Sequence, residues 1–379
     1  MHVGLFTECY RPIQNGVVAS VDALARELLA AGHEVTCVTP RMPNYREAQT
    51  FVVQVPSLPL PTRTAYRLTI PFVAGERTWR ALDRLTIVHT HSAFVTGWMG
   101  LRLARRLRVP LLFTYHTQLE EYAHYVPFDA RATRNAASAL TRVYANAADA
   151  VVVPTAAMEA HLRALGVGVR IAIVPSGIDV AQFAGGKRDE ALRARLGVSA
   201  NEIMLLSVGR LGREKNVELT LDAFARLRDP RVRLVLVGDG AHRADLERHA
   251  ERAGVAARTT FAGEFPREAL PDVYRSADAL AFTSASETQG LVLVEALAAG
   301  LPVVAVDTPQ TRDVLDGAGA VAAGTPEALA AALRRTLADP SRRAVPPHVL
   351  RRFEEGATAR QIAGLYAELI DDLRVPRAG

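Results

Sequence analysis

The chain has 379 residues, which is long for one compact core and ample for two. With 49% hydrophobic and 22% charged residues, its composition is that of a globular protein and excludes wholesale disorder. The net charge of +5 is a small excess for this length, and no nucleic-acid partner is expected from it.

The cysteines and the N-terminus indicate a protein of the reducing cytoplasm. Cys9 and Cys37 lie in or beside apolar runs without a CxxC or Cys/His partner, which argues against disulfides and structural zinc. Met1 to Thr7 lacks the basic start and apolar run of a signal peptide, and no stretch approaches about eighteen uninterrupted apolar residues. We therefore expect a cytoplasmic protein that does not span a membrane.

Short β-rich runs alternate with longer amphipathic stretches along the whole chain, which is typical of parallel sheets with right-handed crossovers. The pattern predicts an α/β protein of two Rossmann-like domains. Strands are predicted first at Val3–Phe6, Val35–Thr39, Ile87–His89, Leu111–Thr114 and Ala150–Pro154, and then at Met204–Val208, Arg233–Val237, Thr259–Ala262, Ala279–Phe282 and Val303–Val306.

The periodicity is weakest around Ser176–Lys187, where three glycines precede a new helix start, so this segment is the predicted linker. We assign residues 1–180 to an N-terminal domain and residues 181–355 to a C-terminal domain. Residues 356–379 contain a last helix, about Thr358 to Leu373, which is a candidate to pack back on the first domain. Ligands of open parallel sheets bind beyond the carboxyl ends of the strands, so a central cleft faced by both sheets is the expected site.

The first strand leads through Glu8–Asn15 and Gly16 into a helix predicted from about Ser20. A strand, a glycine loop and a helix N-terminus present backbone N–H groups and the positive end of a helix dipole to an anion. Gly16 would let a phosphate approach the backbone. Because no complete GxGxxG is present, an ordinary turn between strand and helix is the alternative.

A second candidate site follows the first strand of the C-terminal domain, where Gly209, Arg210 and Lys215 stand in one loop. Arg210 would hold a diphosphate by bidentate hydrogen bonds and Lys215 as a compact point charge. The alternative is a pair of solvated loop charges. Lys187 and Lys215 are the only lysines in an arginine-rich chain, which favours a function for Lys215.

The segment Ser284–Gly300 follows a predicted strand and opens a helix. The backbone N–H groups of Gln289, Gly290 and Leu291 are placed to meet phosphate or sugar oxygens. Glu287 and Glu295 bracket this helix start, and a carboxylate accepts hydrogen bonds from two neighbouring hydroxyls of a sugar or ribose. The alternative is a helix-stabilising glutamate and a surface glutamate.

Taken together, these motifs resemble the family 4 retaining glycosyltransferases of the GT-B fold. The resemblance also includes Pro175–Asp179, Val237–Gly240 and the Glu-x7-Glu pair Glu287/Glu295, and it spans nearly the whole chain. It implies that Glu295 holds the ribose hydroxyls, Glu287 the donor sugar hydroxyls, Arg210 and Lys215 the diphosphate, Gly16 the distal phosphate, and the backbone around Phe261 and Gly263 the base. Gly209, Gly238, Gln289, Gly290 and Leu291 complete the implied donor site.

Within that family the chain is most similar to the diacylglycerol glucosyltransferases. The similarity lies in Thr114–Thr117, Glu121–Tyr122, His124–Pro127 and Glu287–Val292. Gln118 and Leu119 depart from the Met-Tyr pair of that subfamily. The resemblance implies a nucleotide-sugar donor and a lipid acceptor. His116 would lie near the reacting carbon and orient the donor sugar. The alternative is that His116 is a structural histidine at a strand end.

No cofactor and no metal are expected beyond the donor substrate, a UDP-hexose. His116, Glu120 and His124 are four residues apart and would share a face of a helix, but HExxH is absent and no third ligand is evident. No Asp-x-Asp occurs in the sequence. Arg210, Lys215 and helix N-termini would supply the positive charge that a metal otherwise provides.

The resulting hypothesis is retaining transfer of a hexose, glucose from UDP-glucose, to a lipid such as 1,2-diacylglycerol. The alternatives are a GDP-mannose-dependent mannosyltransferase acting on a polyprenyl or inositol lipid, a nucleotide-sugar epimerase, and a non-catalytic nucleotide-sugar sensor. The donor motifs do not distinguish hexoses.

A basic stretch predicts that the protein docks on an anionic membrane at the inner face of the plasma membrane. Between Trp98 and Arg108, the arginines at 102, 105, 106 and 108 alternate with Trp98, Leu101, Leu103 and Leu107. The alternative is a solvated helix whose leucines are core contacts.

Overall fold

The computed structural model describes residues 1–59, 67–70, 79–80, 82–125, 129–339 and 345–374. The chain divides into two compact units, the first formed by Met1–Gly177 together with the chain from Glu355 onwards, and the second by Ile178–Glu354. Each unit has its own parallel sheet.

The sheet of the first unit has the order β3-β2-β1-β6-β7-β8-β9, and all of its strands are parallel. A separate antiparallel pair is formed by β4 and β5. In β1, β2, β6, β7 and β8 the Val, Ile, Leu and Phe side chains are almost fully buried, as expected for strands covered on both faces, whereas Ile173 of the edge strand β9 is 45% exposed. The strands are β1 His2–Phe6, β2 Glu34–Pro40, β3 Val52–Val55, β4 Ser57–Pro59, β5 Arg67–Thr69, β6 Ile87–Thr90, β7 Leu111–Thr114, β8 Ala150–Val153 and β9 Arg170–Ile173.

Within the described residues of this unit, the strands are connected by the helices α1 Gly16–Ala30, α2 Val95–Leu107, α3 Ala130–Asn146 and α4 Ala156–Ala164, with a 3-10 segment at Leu119–Tyr125. Helix α1 begins at Gly16, four residues before the predicted start, because the Asn15 side chain accepts a hydrogen bond from the Val18 N–H at 2.9 Å and caps the helix.

The sheet of the second unit has the order β12-β11-β10-β13-β14-β15 and is also fully parallel. Its strands are β10 Ile203–Val208, β11 Val232–Val237, β12 Thr259–Gly263, β13 Ala279–Phe282, β14 Val303–Val306 and β15 Ala320–Ala322. Its helices are α5 Val180–Ala184, α6 Glu190–Arg195, α7 Val217–Leu227, α8 Arg243–Arg252, α9 Leu270–Ser276, α10 Leu291–Ala298, α11 Pro309–Leu315, α12 Pro326–Ala338 and α13 Pro347–Arg351, with a 3-10 turn at Arg213–Lys215.

Both sheets have the strand order of the Rossmann fold, in which the order reverses beside the first strand. The reversal lies between β1 and β6 in the first unit and between β10 and β13 in the second. Ligands of such sheets bind at these switch points. All ten predicted strands are present, so the predicted fold class is confirmed.

The last helix, α14 Glu355–Arg374, belongs to the first unit and packs against α1. Tyr366 and Leu369 lie in the same buried cluster as Val21 and Leu28 of α1. The Tyr366 hydroxyl is 2.6 Å from Nδ1 of the buried His89. The first unit therefore needs α14 to complete its core.

Helix α2 is amphipathic, but its leucines do not face solvent. Leu101 and Leu103 are only 3% and 2% exposed and lie in the core of the first unit, so the prediction that they alternate with arginines as membrane anchors was wrong. Trp98 is 39% exposed and the neighbouring Phe94 is 47% exposed. Along the described stretches of chain, no helix is both long and apolar enough to cross a bilayer.

Candidate active site

In the second unit, the loops after β10 and β13 meet at the switch point and are joined by side-chain hydroxyls. Thr283 Oγ1 donates to the carbonyl oxygen of Lys215, and Ser286 Oγ donates to that of Glu214, each at 3.1 Å. These bonds hold the two loops in register. The switch point thus brings together two segments that are separate in the sequence and that both contain predicted donor-binding residues.

The charged side chains of these loops are paired. Arg210 Nη2 donates to Glu214 Oε1 at 2.6 Å, and Lys215 Nζ donates to Glu287 Oε1. Lys215 and Glu287 are 23% and 19% exposed, so both are only partly accessible to solvent. Arg210 and Lys215 share one loop, and the ion pair ties Glu287 to it. Lys215 is therefore held in place by a carboxylate at the point where a diphosphate was expected.

Three glycines allow neighbouring loops of this edge to approach closely. Gly209, Gly238 and Gly263 have φ of +148°, +130° and +75°, a region that other residues rarely adopt. The N–H of Gly238 donates to the Gly263 carbonyl at 2.8 Å, and a Cβ on Gly238 would lie 2.0 Å from the Gly209 carbonyl oxygen. The predicted base-binding strand end is close by: the Phe261 carbonyl accepts a hydrogen bond from Arg243 at 3.2 Å.

Helix α10 begins at this edge without a side-chain cap. The helix starts at Leu291, and its N-cap residue is Gly290, at φ +80°, which has no side chain that could cap the first N–H groups. The preceding Gln289 is 4% exposed. An uncapped helix N-terminus offers N–H donors and a partial positive charge to an anion. Phosphate or sugar oxygens would satisfy these groups.

Glu295 lies on the second turn of α10 and is nearly buried, with a side chain 4% exposed. Its Oε2 accepts a hydrogen bond from the Tyr274 hydroxyl at 2.7 Å, and its Oε1 accepts one from Arg267 Nη1 at 3.1 Å. Burial and the neighbouring carboxylate raise the pKa of Tyr274 well above its usual value. A carboxylate has further lone pairs for ribose hydroxyls, and Tyr274 and Arg267 fix its orientation.

In the first unit, β1 leads to the loop that ends at Gly16, and β6 and β7 lead to two histidines. Nδ1 of His91 is 2.9 Å from Nε2 of His116, and the His89 ring lies tilted against that of His91, with 4.2 Å between the ring centroids. His89 is also hydrogen-bonded to Thr114 Oγ1 at 2.6 Å. The carboxyl ends of β6 and β7 therefore support a cluster of three histidines.

Burial lowers the pKa of each of these histidines: that of His116 to about 4, that of His89 to about 3, and that of His91 well below its ordinary value near 6.5. Neighbouring histidines lower the pKa of His89 and His91 further. The cluster is neutral at physiological pH. A neutral His116 can make hydrogen bonds but carries no charge.

The expected helix face shared by His116, Glu120 and His124 is not formed, because His116 lies in the loop before the 3-10 segment Leu119–Tyr125. Glu120 instead contacts His161 on α4, with 2.7 Å between Oε1 and Nε2. The side chain of His124 lies outside the described part of the structure. Among the described residues, no group of three or more His, Cys, Asp or Glu is arranged to hold a metal.

The sequence interpretation missed three residues that shape the site: His91, Tyr274 and Arg267. His91 had a usable signal, because it stands one residue beyond the end of β6, at the same sheet edge as His116. Tyr274 and Arg267 had none, since only the folded chain brings them to Glu295 from 21 and 28 residues away.

Comparison with known proteins assigns this arrangement to a family. Residues 14–182 match the family described as Glycosyltransferase Family 4, and residues 188–348 match Glycosyl transferases group 1. The alpha-monoglucosyldiacylglycerol synthase of Streptococcus pneumoniae is 31% identical over 90% of this chain and 79% of its own length. The GDP-mannose-dependent alpha-mannosyltransferase of Mycobacterium tuberculosis is 33% identical over 83% of this chain and 81% of its own.

Solved structures agree on the fold. Sucrose-phosphate synthase from Thermosynechococcus elongatus superimposes with a TM-score of 0.79 at 25% identity, covering 98% of this chain and 99% of the other. WaaG, a glycosyltransferase involved in lipopolysaccharide biosynthesis, gives a TM-score of 0.65 at 19% identity and full coverage of both chains at 100%. The sequence relatives, the two Rossmann-like units and the similar solved structures lead to the same conclusion. The chain belongs to glycosyltransferase family 4, has the GT-B fold and is a hexosyltransferase.

Proposed function

We propose that this enzyme transfers glucose from UDP-glucose to the hydroxyl of a lipid such as 1,2-diacylglycerol, with retention of the anomeric configuration. The assignment of a nucleotide-sugar donor rests on one observation, the switch point of the second unit. Arg210, Lys215, Glu287 and the start of α10 meet there. The acceptor half is supported by relatives from two species that are named alpha-monoglucosyldiacylglycerol synthases.

In this proposal the Lys215–Glu287 ion pair is exchanged when the donor binds. The diphosphate, which carries more charge than a carboxylate, replaces Glu287 as the partner of Lys215, and Arg210 adds a second cation. The oxygens of Glu287 then accept hydrogen bonds from the sugar hydroxyls. Glu295, oriented by Tyr274 and Arg267, accepts hydrogen bonds from the ribose. Gly16, at the start of α1, would meet the distal phosphate.

The reaction would proceed through an oxocarbenium-like state without a protein nucleophile. The bond between the anomeric carbon and the diphosphate oxygen breaks, and the acceptor oxygen bonds to that carbon on the same face. The acceptor proton passes to the departing phosphate oxygen. Arg210, Lys215 and the α10 N–H groups stabilise the negative charge that develops on the diphosphate, and such electrostatic terms are often the largest in catalysis. Neutral His116 orients the sugar through a hydrogen bond.

The lipid acceptor would be reached from the inner face of the plasma membrane. Phe94 and Trp98 are exposed on the first unit beside the exposed Arg102 and Arg105, and we name these four residues the docking patch. Arg106 forms an ion pair with Asp83 at 2.6 Å and is left out of the patch. Each cation near an anionic leaflet contributes about 1 kcal/mol, and the aromatic rings suit the interface.

A GDP-mannose-dependent mannosyltransferase is the second candidate, because a relative of that name is 33% identical to this chain. The donor loops recognise phosphates, ribose and hexose hydroxyls, which both donors share. Membership of a glycosyltransferase family does not favour the epimerase or the sensor.

Mass spectrometry of the lipid products tests the proposal. The enzyme is incubated separately with UDP-glucose, UDP-galactose and GDP-mannose and with vesicles that contain dioleoylglycerol, phosphatidylinositol and polyprenyl phosphate. Hexosyl-dioleoylglycerol formed from UDP-glucose supports the proposal. Product formed only from GDP-mannose supports the second candidate, and UDP release without any glycosylated lipid contradicts the lipid acceptor.

Sedimentation with vesicles tests the docking patch separately. Binding is expected to rise with phosphatidylglycerol content, to fall with salt, and to weaken when Arg102→Ser and Arg105→Ser are combined. A matched control combines Arg195→Ser and Arg252→Ser, two exposed positions on the second unit with the same loss of charge. Equal loss of binding in both double variants would mean that net charge, and not this patch, drives association.

A further inference from the structure

His242 lies in the second unit, where the loop after β11 leads into α8. Its side chain is only 11% exposed, and both of its ring nitrogens meet carboxylates. Nε2 contacts Oε1 of Glu218, and Nδ1 lies 2.9 Å from Oδ2 of Asp245. The proposed contacts with the donor do not include this histidine.

The two carboxylate contacts connect different parts of the chain. Asp245 is three residues after His242 at the start of the same helix, so that contact is local. Glu218 is 24 positions away, in the first turn of α7, and α7 begins two residues after Lys215. The contact with Glu218 therefore ties the start of α8 to the segment that carries the candidate phosphate-binding lysine.

The main chain of His242 reaches the same loop at a second point. Its N–H donates to the carbonyl oxygen of Leu211, the neighbour of Arg210, at 3.0 Å. Gly240 allows this close approach, since a Cβ there would lie 2.4 Å from the Leu211 carbonyl oxygen. His242 thus contacts the chain shortly after Arg210 and again shortly after Lys215.

The two side-chain contacts can be separated by substitution. An ionised carboxylate only accepts hydrogen bonds, so His242 Nε2 must carry a proton when it meets Glu218. The Nε2 atoms of histidine and glutamine are the same number of bonds from Cβ, as are Nδ1 of histidine and Nδ2 of asparagine. Glutamine at position 242 can therefore keep the contact with Glu218, whereas asparagine can keep only the local contact with Asp245.

We propose that His242 is a positioning residue for the diphosphate of the donor. Its contacts with Glu218 and with the Leu211 carbonyl hold the loop after β10 in place. The positions of Arg210 and Lys215 on that loop set where the phosphates bind, and small displacements of such groups are costly. The inference rests on the proposed function, in which these two cations bind the diphosphate, and deepens it.

Titration calorimetry tests the inference, because it needs neither an acceptor nor turnover. The wild type is titrated with UDP and with GDP, and the diphosphate that binds more tightly is used for the variants. His242→Asn is expected to raise the Kd of that diphosphate about three- to tenfold, roughly the contribution of one hydrogen bond. The Kd of the matching nucleoside, measured by its competition with the diphosphate, should stay at the wild-type value because the nucleoside has no phosphate.

Two further variants address the contact with Glu218. His242→Gln keeps a donor at the position of Nε2 and should restore the Kd of the diphosphate to near the wild-type value. Glu218→Ala removes the same contact from the other side and should raise this Kd by about the same factor as His242→Asn.

His249→Asn is the matched control. His249 lies two turns after His242, on α8, and pairs with Asp222 of α7, with 2.8 Å between Nε2 and Oδ1. It joins the same two helices at a distance from the loops. Its replacement should lower the melting temperature about as much as His242→Asn and leave the Kd of the diphosphate unchanged. Equal rises of this Kd in both variants would mean that only the packing of α7 on α8 matters, and would overturn the inference.

The outcomes also separate this inference from the proposed reaction. If no lipid is glycosylated but the Kd of the diphosphate rises in His242→Asn and recovers in His242→Gln, the positioning role stands and the proposed transfer fails. The positioning role is refuted if His242→Asn leaves that Kd unchanged, if the Kd of the nucleoside rises by the same factor, or if His242→Gln does not restore binding. A wild type that binds neither UDP nor GDP would refute both.

Discussion

Replacement of Gly238 by alanine should both destabilise the second unit and weaken nucleotide binding. Gly238 follows β11, has φ of +130°, and packs directly against the loop that carries Arg210. The added Cβ would lie 2.0 Å from the carbonyl oxygen of Gly209, closer than real Cβ atoms approach an oxygen. The two loops must therefore separate by about 1 Å, a displacement that costs catalytic sites heavily.

The magnitude follows from two terms. A non-glycine residue in this backbone region costs about 1–3 kcal/mol. Separation of the loops strains two hydrogen bonds of 2.9 Å, from the Gly209 N–H to the Val237 carbonyl and from the Leu211 N–H to the Asp239 carbonyl, each worth about 1 kcal/mol. We expect a total loss of about 3–5 kcal/mol in the free energy of unfolding, and a rise of at least about tenfold in the Kd for UDP.

Gly254→Ala provides the control, because Gly254 also has positive φ, +69°, but no atom lies within 4 Å of the added Cβ. It should cost only about 1–2 kcal/mol and leave UDP binding unchanged. Urea unfolding gives the stabilities, and titration calorimetry gives the UDP affinities. Equal losses of stability in the two variants, or an unchanged Kd in Gly238→Ala, would refute the reasoning from close packing.

Three further predictions address the proposed roles. Glu295→Gln should weaken UDP binding, whereas Glu287→Gln should lower turnover and leave UDP affinity near wild type; calorimetry that finds the same loss in both would contradict the assignment to ribose and hexose. Lys215→Met should lower kcat by roughly a hundredfold, the effect expected when one charge that stabilises the transition state is lost, while Lys187→Met should leave kcat unchanged. EDTA should not change the rate of the wild type. A strict need for added Mg²⁺ would contradict the proposal that side chains alone hold the diphosphate. Burial lowers the pKa of His89 to about 3, so on acidification His89 is protonated in the unfolded chain before it is protonated in the folded protein. The free energy of unfolding should therefore fall by about 1.4 kcal/mol per pH unit for that histidine as pH drops below about 6.5. A free energy of unfolding that stays constant from pH 6.5 to 5 would refute this prediction.

The strands could be predicted because their signal is local. A parallel strand buried on both faces is a short apolar run, most of the predicted runs are of this kind, and all ten became strands. The binding site at the carboxyl ends of β10 and β13 could also be predicted. The glycines and charged residues are visible in the sequence after each strand, and the topology of a parallel sheet brings those strand ends to one edge. The Lys215–Glu287 contact, between residues 72 positions apart, follows from that topology.

What escaped prediction depends on side-chain direction and on distant partners. Leu101 and Leu103 stand among arginines in the sequence, but the α2 face that carries them is buried, so the apparent alternation was not a membrane anchor. The orientation of Glu295 depends on Tyr274 and Arg267, which come from α9 and from the turn before it. Such contacts exist only after the elements have packed.

The return of the chain to the first unit affects how the protein folds during synthesis. The strands of the first unit leave the ribosome early, but their core stays open until α14 has been made and Tyr366 reaches His89. The second unit, by contrast, is one uninterrupted segment from Ile178 to Glu354 with its whole sheet. We therefore expect a fragment that ends at Gly177 to expose Val21 and Leu28 and to aggregate. The segment Ile178–Glu354 holds its complete sheet, and we expect it to fold alone.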